Sequence, residues 1–367
     1  MLAGIATAVS APADVRPQAR TYSVVTVEHG DVRHYYVPGR VAAGRGEIHG
    51  VVFNDAGGDF TANLKDLPRM AEDGINTVEV VVTEYQNGRR GSRVFDGKAT
   101  PTARQLTGVV RAARRAGLAV EVMPVILSNG SFVARKFYQP RQIHRWFTSY
   151  RSMIDRWARV AQHAGANIFC VGSEYDAIAN RVWEWQKTIR SVDRRFHRSL
   201  TYMATAGNFP YVRFWRSLDI VSLSPYYTLS KQKVPTVREL VRKWRRILRG
   251  EYGEYQRLRK PLLWNELGYQ SQVRTAYEPY ALRHQRPSEQ AQANAYQAAI
   301  DVTAGRGWLR GIVFYRWDRP INGAVDSSWT PVEKKAECVM AKSWAPSTGP
   351  KVNGQPPACT QLSSRIG

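Results

Sequence analysis

The segment 167–175, which reads NIFCVGSEY, decides the fold class of this chain. Its apolar run is short and ends at a glycine, as in a strand that is buried on both faces of a parallel sheet. Seven further runs of apolar and β-branched residues follow the same pattern. They cover residues 48–54, 77–83, 119–127, 200–204, 220–224, 261–264 and 311–317. The sequence therefore predicts eight buried strands.

Segments with helical periodicity separate most of these strands. They cover residues 64–73, 102–116, 141–164, 182–196, 237–248 and 288–303. Gly74, Gly117 and Gly165 each stand between a helix and the next strand, where helices commonly end. Eight strand–helix units in roughly 320 residues match an α/β fold of the (β/α)8 TIM-barrel type. A doubly wound sheet is the alternative, but no GxGxxG motif follows the first strand.

The barrel is predicted to cover residues 26–345, and the two ends of the chain differ from it in composition. The chain begins MLAGIATAVSAPAD, which is apolar and has an Ala-x-Ala-like site at 10–13 but no basic start. Residues 1–25 are therefore either the remnant of a secretory signal or a disordered N-terminus. Residues 346–367 are rich in Pro, Gly and Ser and are expected to form a short extended tail.

The chain has three cysteines, and two of them flank this tail. Cys338 and Cys359 lie 21 residues apart, and an oxidising compartment would let them form a disulfide that pins the tail. Together with the signal-like start, this favours a secreted or periplasmic location. Cys170 lies in an apolar run and is expected to be a buried core residue. The seven histidines show no HExxH motif or paired spacing, so neither a metal site nor a cofactor is expected.

The chain is strongly basic. Its 367 residues include 53 Lys and Arg against 30 Asp and Glu, which gives a net charge of +23. The basic residues are spread over several helical segments, where a solvated outer face is the simplest interpretation. Attraction to an anionic glycan or cell envelope is the second interpretation. Nucleic acid is not an expected partner, because no helix-turn-helix, RNA-binding or zinc-finger signature is present. No apolar stretch approaches the ~18 residues of a transmembrane helix.

Two predicted strands end in a glutamate. Catalytic residues of a TIM barrel lie at the carboxyl ends of its strands. The fourth strand ends at Glu174, and the seventh leads into Glu266 across the barrel mouth. Two facing carboxylates are what glycoside cleavage needs, and a separation of ~5–5.5 Å is typical of a retaining enzyme. A structural ion pair is the alternative for either glutamate alone.

The segments around both glutamates resemble the retaining glycoside hydrolases of clan A. Residues 172–174 (GSE) and 264–269 (WNELGY) carry the resemblance, and glycoside hydrolase family 113, known for β-mannanases, is the most similar family. Further similar segments lie at 74–78, 82–86, 100–102, 116–118, 123–124, 329–331 and 335–337. The resemblance spans residues 48 to 345. It implies that the barrel is a single catalytic domain, which cleaves a polysaccharide by double displacement.

The resemblance also implies roles for individual residues. Glu174 corresponds to the general acid/base and Glu266 to the nucleophile, while Tyr226 corresponds to the tyrosine that bonds the nucleophile. Trp317 resembles the tryptophan at the floor of the sugar site, with a buried core tryptophan as the alternative interpretation. Ser173 stands where most of the clan has an asparagine that bonds the 2-hydroxyl of the sugar.

Other predicted substrate contacts come from aromatic and polar residues at strand ends. Sugar rings pack on aromatic faces, and polar side chains bond their hydroxyls. These candidates are Tyr85, Asn54, Glu84, Asn208 and Asp318. Glu84 replaces an aromatic residue of the mannanase pattern, so both a mannan-type and an anionic polysaccharide remain open. Because Ser173 departs from the clan, a non-catalytic carbohydrate-binding barrel is the alternative function. The sequence leaves linkage, endo or exo action and oligomeric state open.

Overall fold

A computed structural model describes residues 21–26, 32–37, 47–54, 56–128, 138–282, 284–318, 326–347, 349, 351–352 and 354–363. Its strands are β1 Thr21–Thr26, β2 Val32–Val37, β3 Ile48–Val52, β4 Thr77–Gln86, β5 Ala119–Ser128, β6 Ile168–Ser173, β7 Ser199–Thr205, β8 Ile220–Ser224, β9 Leu262–Leu267 and β10 Leu309–Phe314. Its α-helices are α1 Leu67–Glu72, α2 Ala103–Arg115, α3 Ile143–Ala164, α4 Val182–Asp193, α5 Val237–Leu258, α6 Glu289–Thr303, α7 Lys335–Trp344 and α8 Pro357–Ser363. Short 3-10 helices lie at Leu64–Asp66, Asp176–Ile178, Phe209–Tyr211 and Trp215–Ser217.

Strands β3 to β10 form a closed barrel in the order β10-β3-β4-β5-β6-β7-β8-β9. Every neighbouring pair in the barrel is parallel. The predicted TIM barrel is therefore confirmed, and the fourth and seventh predicted strands are β6 and β9. Strands β1 and β2 pair with each other as a separate antiparallel sheet.

The barrel strands read as continuous apolar runs because both of their faces are buried. One set of side chains fills the interior of the barrel, including Val81, Met123, Cys170 and Leu263. The alternate set packs outward beneath the helices, as Val80 and its equivalents do. Alternation along each strand therefore separates two apolar layers, as expected for parallel sheets.

Local sequence signals explain where several elements begin and end. Thr102 and Thr236 cap α2 and α5, and each exchanges hydrogen bonds with the residue three positions on, as in a capping box. Gly165 ends α3 with φ of 93°, a left-handed conformation that suits glycine. Gly311 has φ of 127°, and a Cβ there would lie 2.0 Å from the carbonyl oxygen of Ile48. Only glycine therefore lets β10 approach β3.

The C-terminal part of the chain is more helical than its composition suggests. Helix α7 covers Lys335–Trp344, and the tail expected to be extended contains α8 at Pro357–Ser363. A disulfide between Cys338 and Cys359 joins these two helices. Cys170 is buried with a free thiol. Residues 1–20, with the signal-like site at 10–13, lie outside the described part of the chain. None of the helices described is long and apolar enough to span a membrane.

Candidate active site

Glu174 lies directly after β6 at the carboxyl end of the barrel. The register of β6 against β7 shifts between Cys170 and Ser173, and such irregularities commonly redirect a side chain beside an active site. Glu174 has φ of 55°, which is uncommon outside glycine, and its amide donates to the carbonyl oxygen of Met203 at 2.7 Å. Its side chain is almost fully buried, and Oε1 accepts a short hydrogen bond from Ser224 Oγ. The backbone and Ser224 therefore hold this carboxyl group in place.

Glu266 faces the mouth because β9 is also irregular. Trp264 and Leu267 both pack in the outer core, and Asn265 reaches across the interior to Glu121 Oε1 at 2.8 Å. Strict alternation would then send Glu266 outward with Trp264. The pairing of β10 with β9 shifts register between Trp264 and Leu267, which leaves two consecutive residues between outward-facing positions. Glu266 is partly exposed and accepts a hydrogen bond from Tyr226 at 3.1 Å.

A single segment at the end of β8 contacts both carboxyl groups. Ser224 donates to Glu174, and Tyr226, two residues later, donates to Glu266. Burial raises the pKa of Tyr226 well above its usual value, and the nearby charges of Glu266 and Glu174 raise it further. The phenol therefore remains a donor across the working pH range. Because the two carboxyl groups bond residues only two positions apart, both lie beside the end of β8.

Aromatic rings surround the Glu266 side of this mouth. Tyr315 follows β10 and lies edge-on to Trp329, with ring centroids 5.6 Å apart. Trp329 is also edge-on to Tyr226 at 6.4 Å. Sequence reasoning missed Tyr315, Trp329 and Ser224. Tyr315 and Ser224 do stand at strand ends, so the same rule that selected Glu174 could have found them.

Trp317 does not form the floor of the mouth, which corrects the sequence-based assignment. The sequence predicts that the last strand runs to Trp317, but β10 ends three residues earlier, at Phe314. The Trp317 side chain has no exposed surface and belongs to the outer core. Its backbone is fixed by Asn63 Nδ2 and by the carbonyl oxygen of Val52. An indole buried in this way has no face for a sugar, whereas Tyr315 is partly exposed.

Glu84 is likewise not a substrate contact in this structure. It lies on the outward face of β4, fully buried, and Oε1 accepts from Arg156 at 2.5 Å and from Trp157 Nε1 at 2.6 Å. Arg156 also bonds Asp96. Burial raises the pKa of Glu84 to about 7, although both donors act to lower it. Strand alternation places Glu84 between the sheet and α3, so it holds that helix rather than a ligand.

Asn54 and Tyr85 have local structural partners. Asn54 exchanges two hydrogen bonds with the backbone of Val81, at 2.8 and 2.9 Å, so its amide joins β3 to β4. This engagement removes Asn54 from the predicted sugar contacts. Tyr85 is partly exposed, stacks on Phe95 and accepts a hydrogen bond from the amide of Ala99. Its ring therefore lies at the edge of the barrel, beneath the segment that contains Phe95 and Ala99.

The remaining polar candidates differ in their availability. Asn208 is partly exposed and donates to Asp176 at 3.2 Å. Asp318 is partly exposed and pairs with Arg316. Ser173 is buried, and its hydroxyl has no hydrogen-bond partner among the described residues. Because Ser173 has no exposed surface, this hydroxyl is not available to a sugar, and Asn208 and Asp318 are the predicted polar contacts that keep exposed surface.

The family model for Glycoside Hydrolase Family 113 matches residues 53–330, which is more than half of the chain. The chain belongs to glycoside hydrolase family 113. As a member of this family it is a retaining glycoside hydrolase, and its substrate is an oligosaccharide or a polysaccharide. A comparison with curated protein sequences finds no significant match.

Solved structures of other glycoside hydrolases share the fold of this family 113 enzyme. A family 113 β-1,4-mannanase has a TM-score of 0.72 at 22% identity, over 81% of this chain and 98% of the other. A family 113 β-mannanase from Alicyclobacillus acidocaldarius has a TM-score of 0.71 at 22% identity, over 81% and 97%. A β-glucuronidase from Ruminococcus gnavus has a TM-score of 0.56 at 12% identity, over 89% of this chain and 53% of the other. At these identities the likeness shows the fold alone.

Proposed function

We propose that this family 113 enzyme cleaves a β-linked polysaccharide by double displacement, with Glu174 as general acid/base and Glu266 as nucleophile. The observation that carries this proposal is the pair of hydrogen bonds from the end of β8. Ser224 and Tyr226 direct one carboxyl group each into the same mouth. The two glutamates also differ in environment, since Glu174 is almost fully buried and Glu266 is partly exposed.

These environments match the two roles. A general acid must be held where it can reach the glycosidic oxygen, and the backbone and Ser224 hold the Glu174 carboxyl group in one position. In the first step Glu174 gives its proton to the glycosidic oxygen. The bond from C1 to this oxygen breaks, and a bond from C1 to a Glu266 carboxylate oxygen forms. A nucleophile must stay ionised, and the Tyr226 hydroxyl stabilises the Glu266 carboxylate by donating to it.

The second step releases the sugar with its original anomeric configuration. Glu174, now a carboxylate, takes a proton from water while the water oxygen bonds to C1. The bond from C1 to Glu266 breaks, and Glu266 leaves as a carboxylate that Tyr226 again bonds. Tyr226 therefore assists most in this second step, because negative charge returns to Glu266 there.

For the substrate we propose a mannan-type β-linked polymer first and an anionic polysaccharide second. The family 113 relatives described as β-1,4-mannanases support the first. The net charge of +23 supports the second. Purified enzyme incubated with neutral mannans and with uronic acid polymers, with products separated by size, decides between them. Release of oligosaccharides from neither class would contradict both.

Chemical rescue tests the two catalytic roles. Glu266→Ala should lose hydrolysis, and azide should restore turnover of an activated aryl glycoside with formation of an α-glycosyl azide. Glu174→Ala should retain the first step on that substrate, and azide should then give a β-glycosyl azide. Glu254→Gln is the control, because Glu254 lies on α5 and pairs with Arg257. Hydrolysis by both alanine variants at the wild-type rate would refute the assignment.

We further propose that the enzyme works outside the cytoplasm, in the periplasm or after secretion. The disulfide between Cys338 and Cys359 supports this, because such bonds persist in oxidising compartments. Fractionation of the native host, with thiol labelling before and after reduction, tests the location. A reduced pair in a cytoplasmic fraction would contradict it.

A further inference from the structure

A basic groove runs along the outer wall of the barrel, away from the mouth. We call it the α5 groove. It has a volume of about 940 Å³, and Val237 and Val241 contribute apolar surface to it. Five arginines of α5 line it: Arg238, Arg242, Arg245, Arg246 and Arg249. Steps of three and four residues place four of them on one helix face, over about 16 Å of helix.

The positive charges of this groove outnumber the acidic groups near them. All five arginines are exposed, and none of their guanidinium groups is hydrogen-bonded to a carboxylate among the described residues, although the charge of Arg242, after the hydrogen bonds from Thr236, helps to lower the pKa of Glu239. Asp301 of α6 is the acidic residue on the groove wall, and its Oδ1 already accepts from Gln297 at 2.7 Å. Like charges spaced this closely repel one another, so an anionic ligand gains from binding here.

An exposed aromatic platform continues the same helix face. Tyr252 lies seven residues after Arg245 and is therefore in line with it on α5. Its ring is 42% exposed and packs against Tyr255 and Trp308, with centroids 5.9 and 5.5 Å away. Tyr255 and Trp308 are partly exposed as well. Guanidinium groups followed by a ring platform suit a ligand that carries both negative charge and pyranose faces.

We propose that the α5 groove and its aromatic platform form a binding site for an acidic polysaccharide. The arginines bind carboxylates of successive sugars, and Tyr252 and Trp308 stack on a ring at one end. Single-stranded nucleic acid is less suited, because proteins that bind it place aromatic rings along the groove for successive bases. Here the groove wall between the arginines is aliphatic. The binding itself does not depend on the proposed function. The further statement that the enzyme cleaves the polymer bound here does rest on the proposed function.

A second basic groove, between α2 and α3, provides a matched control. It has a volume of about 510 Å³, and its lining includes Arg104, Arg111, Arg115 and Arg159, with the His163 imidazole but no Phe, Tyr or Trp. Arg104, Arg111 and Arg115 are exposed, as the α5 arginines are. Changing three arginines to glutamine in either groove removes the same charge from the protein. A difference between the two triple variants therefore reports the site and not the net charge.

The experiment measures binding of three polymers to the full chain carrying Glu266→Gln, so that none is cut. The polymers are polygalacturonate, neutral galactomannan and single-stranded oligo-dT, at several salt concentrations. In this background, R242Q/R245Q/R249Q should weaken polygalacturonate binding about tenfold, as the loss of three exposed ion pairs predicts. Tyr252→Ala should weaken it about fivefold with an unchanged salt dependence. R104Q/R111Q/R115Q should change it less than twofold.

Each other outcome overturns the proposal. Equal weakening by both triple variants would show that binding depends only on net charge. Equal affinity for galactomannan would remove the role of the arginines, and tighter binding of oligo-dT would assign the groove to nucleic acid. These outcomes do not affect the proposed catalysis, which the azide experiments test. Conversely, a Glu266→Ala protein that hydrolysed substrate at the wild-type rate would refute the catalytic assignment and leave this binding prediction unchanged.

Discussion

Tyr226→Phe should slow breakdown of the glycosyl-enzyme more than its formation. The change removes one hydroxyl, which donates to Glu266 Oε1 at 3.1 Å, and keeps the ring that packs against Trp329. A hydrogen bond to a charged group contributes about 1.5–3 kcal/mol, and 3.1 Å is long for two oxygens, so about 1.5–2 kcal/mol applies. The second step, in which Glu266 regains its charge, should therefore slow by about 10- to 30-fold.

The same loss should also change the pH dependence. Ionised Glu266 is stabilised by Tyr226, so without the hydroxyl the acid limb of kcat/KM should move about 1–1.5 units to higher pH. Stopped-flow assays with an activated aryl glycoside should show a burst of aryl product, because the glycosyl-enzyme accumulates. Tyr227→Phe is the control, since Tyr227 packs against Trp244 and contacts neither glutamate. A Tyr226→Phe enzyme with a wild-type pH profile and no burst would refute this reasoning.

Three further predictions concern stability. Cys338→Ser should lower the free energy of unfolding by about 3 kcal/mol, because it opens a loop with a separation of 21 residues. Urea titration without reductant measures this, and an equal loss on adding reductant to wild type is its control. Burial raises the pKa of Glu251 to about 7, so its contribution to stability is complete below pH about 4.5 and is lost as pH rises through 7. Glu251→Gln should therefore reduce the loss of stability between pH 5 and 8 by about 3 kcal/mol, and an unchanged loss would contradict the assignment. Glu84→Ala should destabilise the fold by about 1–3 kcal/mol, because the buried Trp157 indole loses its acceptor while Arg156 keeps Asp96, without changing KM of the folded fraction. An altered KM would return Glu84 to the substrate site.

The barrel could be predicted from the sequence because its physical cause is local. A strand buried on both faces must be apolar at every position, so the eight runs stand out in the chain. Helix ends are also encoded nearby, as the caps at Thr102 and Thr236 and the stop at Gly165 show. The positions of Glu174 and Glu266 at strand ends follow from the same local pattern.

The sequence could not give the direction of individual side chains at the mouth. Glu84 and Trp317 both stand at or near strand ends, yet both are buried in the outer layer. Alternation puts Glu84 on the same face of β4 as Val80 and Val82, but only the closed barrel shows that this face is the outer one. The length of each strand and the partner that covers its end fix the outcome, and those partners, Trp157 and Asn63, are far away in the sequence.

The chain by itself therefore determined the eight-stranded architecture and the two glutamates that the barrel presents. Only the tertiary structure decided that both of them bond the same segment at the end of β8. The irregular pairing of β6 with β7 and of β9 with β10 redirects their ends, and Ser224 and Tyr226 then bond the carboxyl groups. Register between neighbouring strands depends on how the whole barrel closes, so no short stretch of residues encodes it.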